Sequence, residues 1–408
     1  MATRRVARSP VDAAAPTGES PLSMRSALWR RFDTPFASMA ITALLYSLFL
    51  LAKLERKDFD ASSFVIAGGE FVSTEQIPEG LTWFSIYGGY DGVFYYRLAL
   101  DPFTRTLTDF GITFDTPRYR QQRILYPLLV MALSLGRPLA VPWALILVNY
   151  VALCAMGLIG GMIARRAGRR ALWGLVFPLY GGFLLSLTRD LAEIVELCLV
   201  MTALLSLARG RHLLAGALLA AAVLAKETAL LLVAGTGLVW IHRAWKQREL
   251  GGWQPIAIPV AIWGLWQIRL QHVWGVSLER EIHNNIGPPL VAFLDFLART
   301  ADLRNRFHRT WFIEIVLLLL MVAVVALALR RVRGMAGEKL SWLLYLALVF
   351  SLTCAVWCED WAFLRAGSEL YVLSCMLLLH TPARYRIVGL MPWIAGWPFL
   401  ARDLVRFG

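Results

Sequence analysis

The chain has 408 residues, 58% of them hydrophobic and only 17% charged, with a formal net charge of +13. Soluble domains run to about 45–50% apolar and about 25% charged, so the composition excludes a soluble globular enzyme and implies a membrane protein. The Lys and Arg residues form short clusters at the ends of apolar runs. This is the positive-inside pattern, and it argues against nucleic acid as the partner of the positive charge.

Residues 1–34 are small, polar and basic, and are expected to be a disordered cytoplasmic tail. The apolar run that follows is too long and too far from the terminus for a signal peptide. The rest, 35–408, is expected to be one all-α, polytopic membrane domain. Its apolar runs have the roughly 17–25 residues needed to cross about 30 Å of hydrocarbon, where only helices leave no backbone group unsatisfied. In chain order, helix one (35–53) runs outward and 54–138 stay outside. Helix two (139–163) returns to the basic cluster at 165–170. Helices three (171–187) and four (190–208) form a hairpin with its tip at Thr188-Arg189-Asp190. Helices five (212–225) and six (228–242) form another, with its tip at Lys226-Glu227. Helix seven (254–272) leads to a second outer loop, 273–309. Helix eight (310–329) comes back, and nine (340–357) and ten (361–380) turn at Cys358-Glu359-Asp360. A run at 387–401 makes the total about 10–11 spans. Residues 123–136 would extend only ~21 Å as a helix. They are expected to lie along the outer leaflet, because counting them as a span would move 165–170 outside.

The most informative stretch is 87–103 in the first outer loop, where Asp91 sits among glycines and aromatic rings. A carboxylate there is a poor packing residue and a good candidate for a base acting on a lipid-linked substrate. Farther on, Arg118, Arg120 and Arg123 are interleaved with Tyr119 and Tyr126. They suit either a ladder for lipid headgroups or a clamp on a substrate phosphate, to which Arg offers a bidentate fork. Lys226 and Glu227 either cap two short helices or present a cation to a bound anion, since an ion pair at membrane depth is costly without partners. Arg189, Asp190 and Glu193 either cap helix four against its dipole or belong to the site, with Glu193 and Glu196 one turn apart facing the interior. Arg365 and Glu369, spaced i,i+4, either neutralise each other or aim the arginine at a phosphate. His283, beside Asn284-Asn285, is a lone loop histidine.

No nucleotide-binding loop and no zinc-like pairing of His or Cys is present in the sequence. Cys354 and Cys358, one helical turn apart, do not suit disulfide geometry, and packing is the role expected of all five cysteines. No internal repeat of the secondary-transporter kind is evident.

The motifs Tyr90-Asp91-Gly92-x-Phe94-Tyr95-Tyr96-x-x-Ala99 and Arg120-x-x-Arg123-Ile124-Leu125-Tyr126-Pro127-Leu128-Leu129 resemble the first outer loop of GT-C glycosyltransferases. They are similar in particular to the GPI-mannosyltransferase-like branch and its bacterial relatives. The resemblance extends in patches to Leu224-Ala225-Lys226-Glu227-Thr228 and to Arg365. It departs at Lys226, where Arg is common, and at the single Asp91, where some branches have an acidic pair; this leaves a divalent cation open. The resemblance implies an extracytoplasmic site in a bacterial inner membrane. There an acceptor hydroxyl of a lipid or glycan attacks a sugar carried on a polyprenyl phosphate. Asp91 would be the base, and Arg118, Arg120, Arg123, Lys226 and Arg365 would be the candidate phosphate ligands. Tyr90, Tyr126, Arg189, Asp190, Glu193, Glu227, His283 and Glu369 complete the expected substrate site. The rival reading is a transporter or flippase of a lipid-linked anion. It would need matched polar residues in the cytoplasmic half, and few are evident.

Overall fold

The computed structural model describes residues 33–84, 88–248, 251–275, 285–300, 304–357 and 362–407. His283, most of the N-terminal tail and Cys358-Glu359-Asp360 lie outside the described residues. The fold is mostly helical. Among the described residues, four helices are long and apolar enough to cross a membrane: Pro35–Glu55, Val141–Arg166, Glu227–Gln247 and His308–Ala328.

Helix α1 (Pro35–Glu55) starts where Thr34 accepts from the Ala37 amide at 3.1 Å and Pro35 takes the first position. The segment from 56 to 140 carries two minimal strand pairs, Ala67–Gly68 with Trp83–Phe84 and Thr108–Asp109 with Ile112–Thr113. It also carries three short helices: α2 (Gly92–Leu100), α3 (Pro117–Gln121) and α4 (Leu125–Ser134). Helix α5 (Val141–Arg166) packs along α1. Small residues permit the approach. A Cβ on Gly161 would lie 2.7 Å from the Pro35 Cα, and one on Gly157 would lie 2.6 Å from the Thr42 hydroxyl.

The expected third helix, 171–187, is not continuous. It divides into a 3₁₀ turn (Ala171–Val176) and α6 (Gly181–Thr188). Pro178 supplies no amide and restricts Phe177 before it. The carbonyls left over are satisfied by side chains of other helices: Ser38 donates to Ala171 at 2.8 Å, Tyr371 to Val176 at 2.7 Å and Tyr46 to Pro178 at 2.6 Å. Helix four begins at Glu193 rather than 190, as α7 (Glu193–Leu207), because Asp190 takes a positive φ of 52°.

Helix α8 (His212–Ala225) ends at an extended Lys226, and a 3₁₀ turn (Glu227–Ala229) leads into α9 (Leu230–Gln247). Helix α10 (Gln254–Trp274) packs on α8. The expected loop 273–309 contains a helix, α11 (Val291–Arg299), whose buried Phe293 meets Trp357 edge-on and whose buried Phe296 lies tilted against it. Helix α12 (Arg306–Ala328) follows.

The expected ninth helix stops early, as α13 (Ala336–Phe350), with Cys354–Trp357 a separate turn, α14. Cys354 is disulfide-bonded, with its partner outside the described residues. The packing role expected for it is therefore wrong. The tenth helix is also divided, into α15 (Ala362–Ala366) and α16 (Ser368–Leu379), at Gly367, where the Tyr180 hydroxyl donates to the Leu364 carbonyl at 2.7 Å. The last apolar run lies within α17 (Ala383–Phe407).

Candidate functional site

One cavity of about 950 Å³ gathers residues from most of the chain, within the roughly 300–1,000 Å³ range of ligand pockets. Its lining includes the apolar side chains of Leu230, Leu231, Trp263, Leu348 and Leu352. It also includes Glu70, Asp115 and the backbone of Gly88 and Gly89. The same cavity is lined by Tyr90, Asp91, Arg120, Arg123, Glu193, Lys226, Glu227 and Arg365.

Asp91 precedes α2 in helical conformation, but its carboxylate does not cap the helix. It turns instead toward three guanidiniums. Arg120 Nη1 donates to Oδ1 at 2.7 Å and Arg365 Nη1 to Oδ2 at 2.9 Å, while Arg123 Nη1 stands 3.9 Å from Oδ2. Burial alone would raise the Asp91 pKa, but the Arg120, Arg365 and Arg123 charges outweigh it and hold the carboxyl well below the usual carboxylate range. Gly92 lets the chain approach closely here, since a Cβ would lie 2.5 Å from the Arg189 carbonyl and 2.8 Å from that of Val65. Both obstacles are backbone. Gly92→Ala is therefore expected to cost about 1–3 kcal/mol and to displace Asp91; an unchanged melting temperature and activity would refute this.

Each arginine has a second anchor. Asp115 accepts from Arg120 Nε at 2.9 Å and from Nη2 at 2.6 Å. Glu227 accepts from Arg123 Nε at 2.9 Å and from Nη2 at 2.6 Å. Glu193 Oε1 lies 3.7 Å from Arg365 Nε. Rings back the guanidiniums: Phe94 under Arg120 at 4.4 Å, Tyr119 under Arg123 at 4.7 Å, and Tyr90 under both Arg365 and Arg189 at 5.1 Å.

The extended Lys226 sends its ammonium and the next carboxylate to different partners. Lys226 Nζ donates to Glu369 Oε1 at 2.8 Å and lies 3.7 Å from Glu193, whereas Glu227 goes to Arg123. Lys226 and Glu227 therefore do not simply cap two helices. Nor do Arg365 and Glu369 pair with each other, because the break at Gly367 puts them on different helices.

Other expected site residues lie outside the cavity lining. Arg118 faces α10, where it donates to Gln267 at 3.1 Å and to Gln271. Tyr126 is fully buried, donating to the Leu145 carbonyl at 3.0 Å and accepting from Asn149 at 2.9 Å. Arg189 lies behind Tyr90. Asp190 is fully buried, with neither carboxylate oxygen hydrogen-bonded among the described residues. Glu369 sits behind Lys226. Asp115, Glu70 and Trp263 line the cavity without having been singled out in the sequence. Only Asp115, a helix-preceding acid five residues before Arg120, left a local signal.

Among the described residues, no group of three or more His, Cys, Asp and Glu side chains could hold a metal ion. No similarity to a protein-family model, a curated protein or a solved structure was found.

Proposed function

We propose that this chain is a GT-C-type glycosyltransferase in a bacterial inner membrane, transferring a sugar from a polyprenyl phosphate to an acceptor hydroxyl. The observation that carries this reading is the meeting of one carboxylate, Asp91, with Arg120, Arg123 and Arg365 in a half-apolar cavity. Lipid-phosphate glycosyl transfer needs a proton acceptor, fixed cations for a leaving phosphate, and an apolar wall for a lipid. The acceptor oxygen forms a bond to the anomeric carbon as the bond from that carbon to the phosphate oxygen breaks. Asp91 takes the hydroxyl proton, and the electron pair leaves with the polyprenyl phosphate, whose charge the guanidiniums meet. The carboxylates do not fit a divalent cation, since Asp91, Asp115 and Glu227 are each engaged by arginine; no step is drawn through a metal.

The positive-inside pattern supports about 10–11 spans, with the cytoplasmic N-terminus and the cavity on opposite sides. The disulfide-bonded Cys354 on the cavity wall supports the extracytoplasmic side, where disulfides persist. The test is lipid-linked sugar analysis of a strain lacking this chain. One polyprenyl-phosphate sugar should accumulate and one glycan should lose a residue. Unchanged pools of both would overturn the reading.

A further inference from the structure

Resting on that reading, we propose that Asp91 occupies the donor-phosphate position in the free protein. Arg120, Arg123 and Arg365 form a prebuilt three-guanidinium socket, and a lipid-linked phosphate binds it by displacing the Asp91 carboxylate toward the acceptor.

The arrangement of donor atoms carries this. Arg120 and Arg123 each spend Nε and Nη2 on an anchoring carboxylate, Asp115 and Glu227. Arg365 turns Nε toward Glu193. In Arg120 and Arg365 Nη1 donates to Asp91 at 2.7 and 2.9 Å, and in Arg123, which also meets Tyr95, Nη1 lies 3.9 Å from the same carboxylate. The anchors come from elements other than the one bearing Asp91. Removing its carboxylate therefore leaves the donors aimed at one point, preorganised for an anion. A phosphate brings more acceptor oxygens than a carboxylate, in geometry suited to arginine.

The exchange also accounts for how a carboxylate so strongly held can serve as a base. While three guanidiniums act on it, Asp91 is a poor proton acceptor. A phosphate in the socket neutralises that field and restores its basicity. Donor binding thus precedes activation of the base. After transfer, Asp91 carries the acceptor's proton; once it passes that proton to water, the carboxylate re-enters the socket and competes with the departing polyprenyl phosphate.

The test is a titration of the purified full-length protein with undecaprenyl phosphate. Asp91→Asn and Asp91→Ser should bind it at least ~10-fold more tightly than the wild type, because the competing occupant is gone. Glu70→Gln removes a carboxylate from the same cavity and should change Kd by no more than about twofold. Arg365→Gln should weaken binding. Inorganic phosphate should compete only at far higher concentration; competition at equal concentration would make this a free-anion site and overturn the lipid assignment. Unchanged or weaker binding by both Asp91 variants, with wild-type melting curves, overturns the exchange. Equal tightening in Glu70→Gln overturns it too, since general charge repulsion would then suffice. If wild-type protein and all variants fail to bind undecaprenyl phosphate, the lipid-phosphate function itself falls.

Discussion

Asp91→Asn is expected to fold and insert normally and to lose turnover by ~10²–10⁴-fold, the range for removing a general base. The amide is isosteric and can still accept from Arg120 and lie near Arg365, so the loop from Tyr90 into α2 keeps its shape. It cannot take a proton. Of the three ion pairs lost, with Arg120, Arg123 and Arg365, each leaves a guanidinium that still has its own anchoring carboxylate, Asp115, Glu227 or Glu193, so the stability change should be small beside the kinetic one. The pattern of constants is as diagnostic as the size. If Asp91 also competes with the donor for the guanidiniums, kcat and the donor KM should fall together. A purely structural role would instead raise KM and lower the melting temperature. The measurement is initial-rate sugar transfer by purified protein at several donor concentrations. Near-normal kcat would remove Asp91 from the chemistry.

Which parts of this arrangement could be read in advance follows from the range of the forces involved. The hydrophobic runs of α1, α5 and α10 are long, that of α8 is short but sharply bounded, and the limits of all four agree with the structure to within a few residues. Helices three and ten, continuous by hydropathy, are divided in the structure. Their breaks at Pro178 and Gly367 depend on tyrosines from distant helices, Tyr46, Tyr371 and Tyr180, which satisfy the freed carbonyls. Asp91, Arg120, Arg123, Lys226 and Arg365 share one cavity, as their charges in apolar surroundings suggested. Arg118 does not join them. It lies two residues from Arg120 on α3, about 200° around the helix, and meets Gln267 and Gln271 instead. The i,i+4 spacing of Arg365 and Glu369 was misleading for a related reason: the rule presumes one unbroken helix. The anchoring of each arginine by its own carboxylate involves Asp115, Glu193 and Glu227, from three separate segments, and no local pattern encodes such a meeting.

Lys226→Met is expected to be the most destabilising single change at the site, costing ~3–5 kcal/mol, the scale for leaving buried charge uncompensated. Lys226 is 6% exposed. Glu369 accepts from its ammonium at 2.8 Å, Glu193 lies 3.7 Å away, and Glu196 also acts on it electrostatically. Neither Glu196 oxygen has a hydrogen-bond partner among the described residues. One ammonium thus balances several carboxylates where α7 meets α16. Methionine fills the volume and leaves the acids facing one another. Neutralising one of them should recover part of the loss. In Lys226→Met with Glu369→Gln, the amide oxygen still accepts from the Thr228 hydroxyl, which now lies 2.5 Å from Glu369 Oε1. Thermal unfolding of the detergent-solubilised single and double variants measures the coupling. A different result follows if Lys226 mainly holds the donor phosphate. The single variant would then melt like the wild type and bind undecaprenyl phosphate weakly, and Glu369→Gln would rescue nothing. The geometry favours the structural role, because the ammonium already has carboxylate partners, whereas the Nη1 atoms of Arg120 and Arg365 donate to Asp91, the group a phosphate can replace.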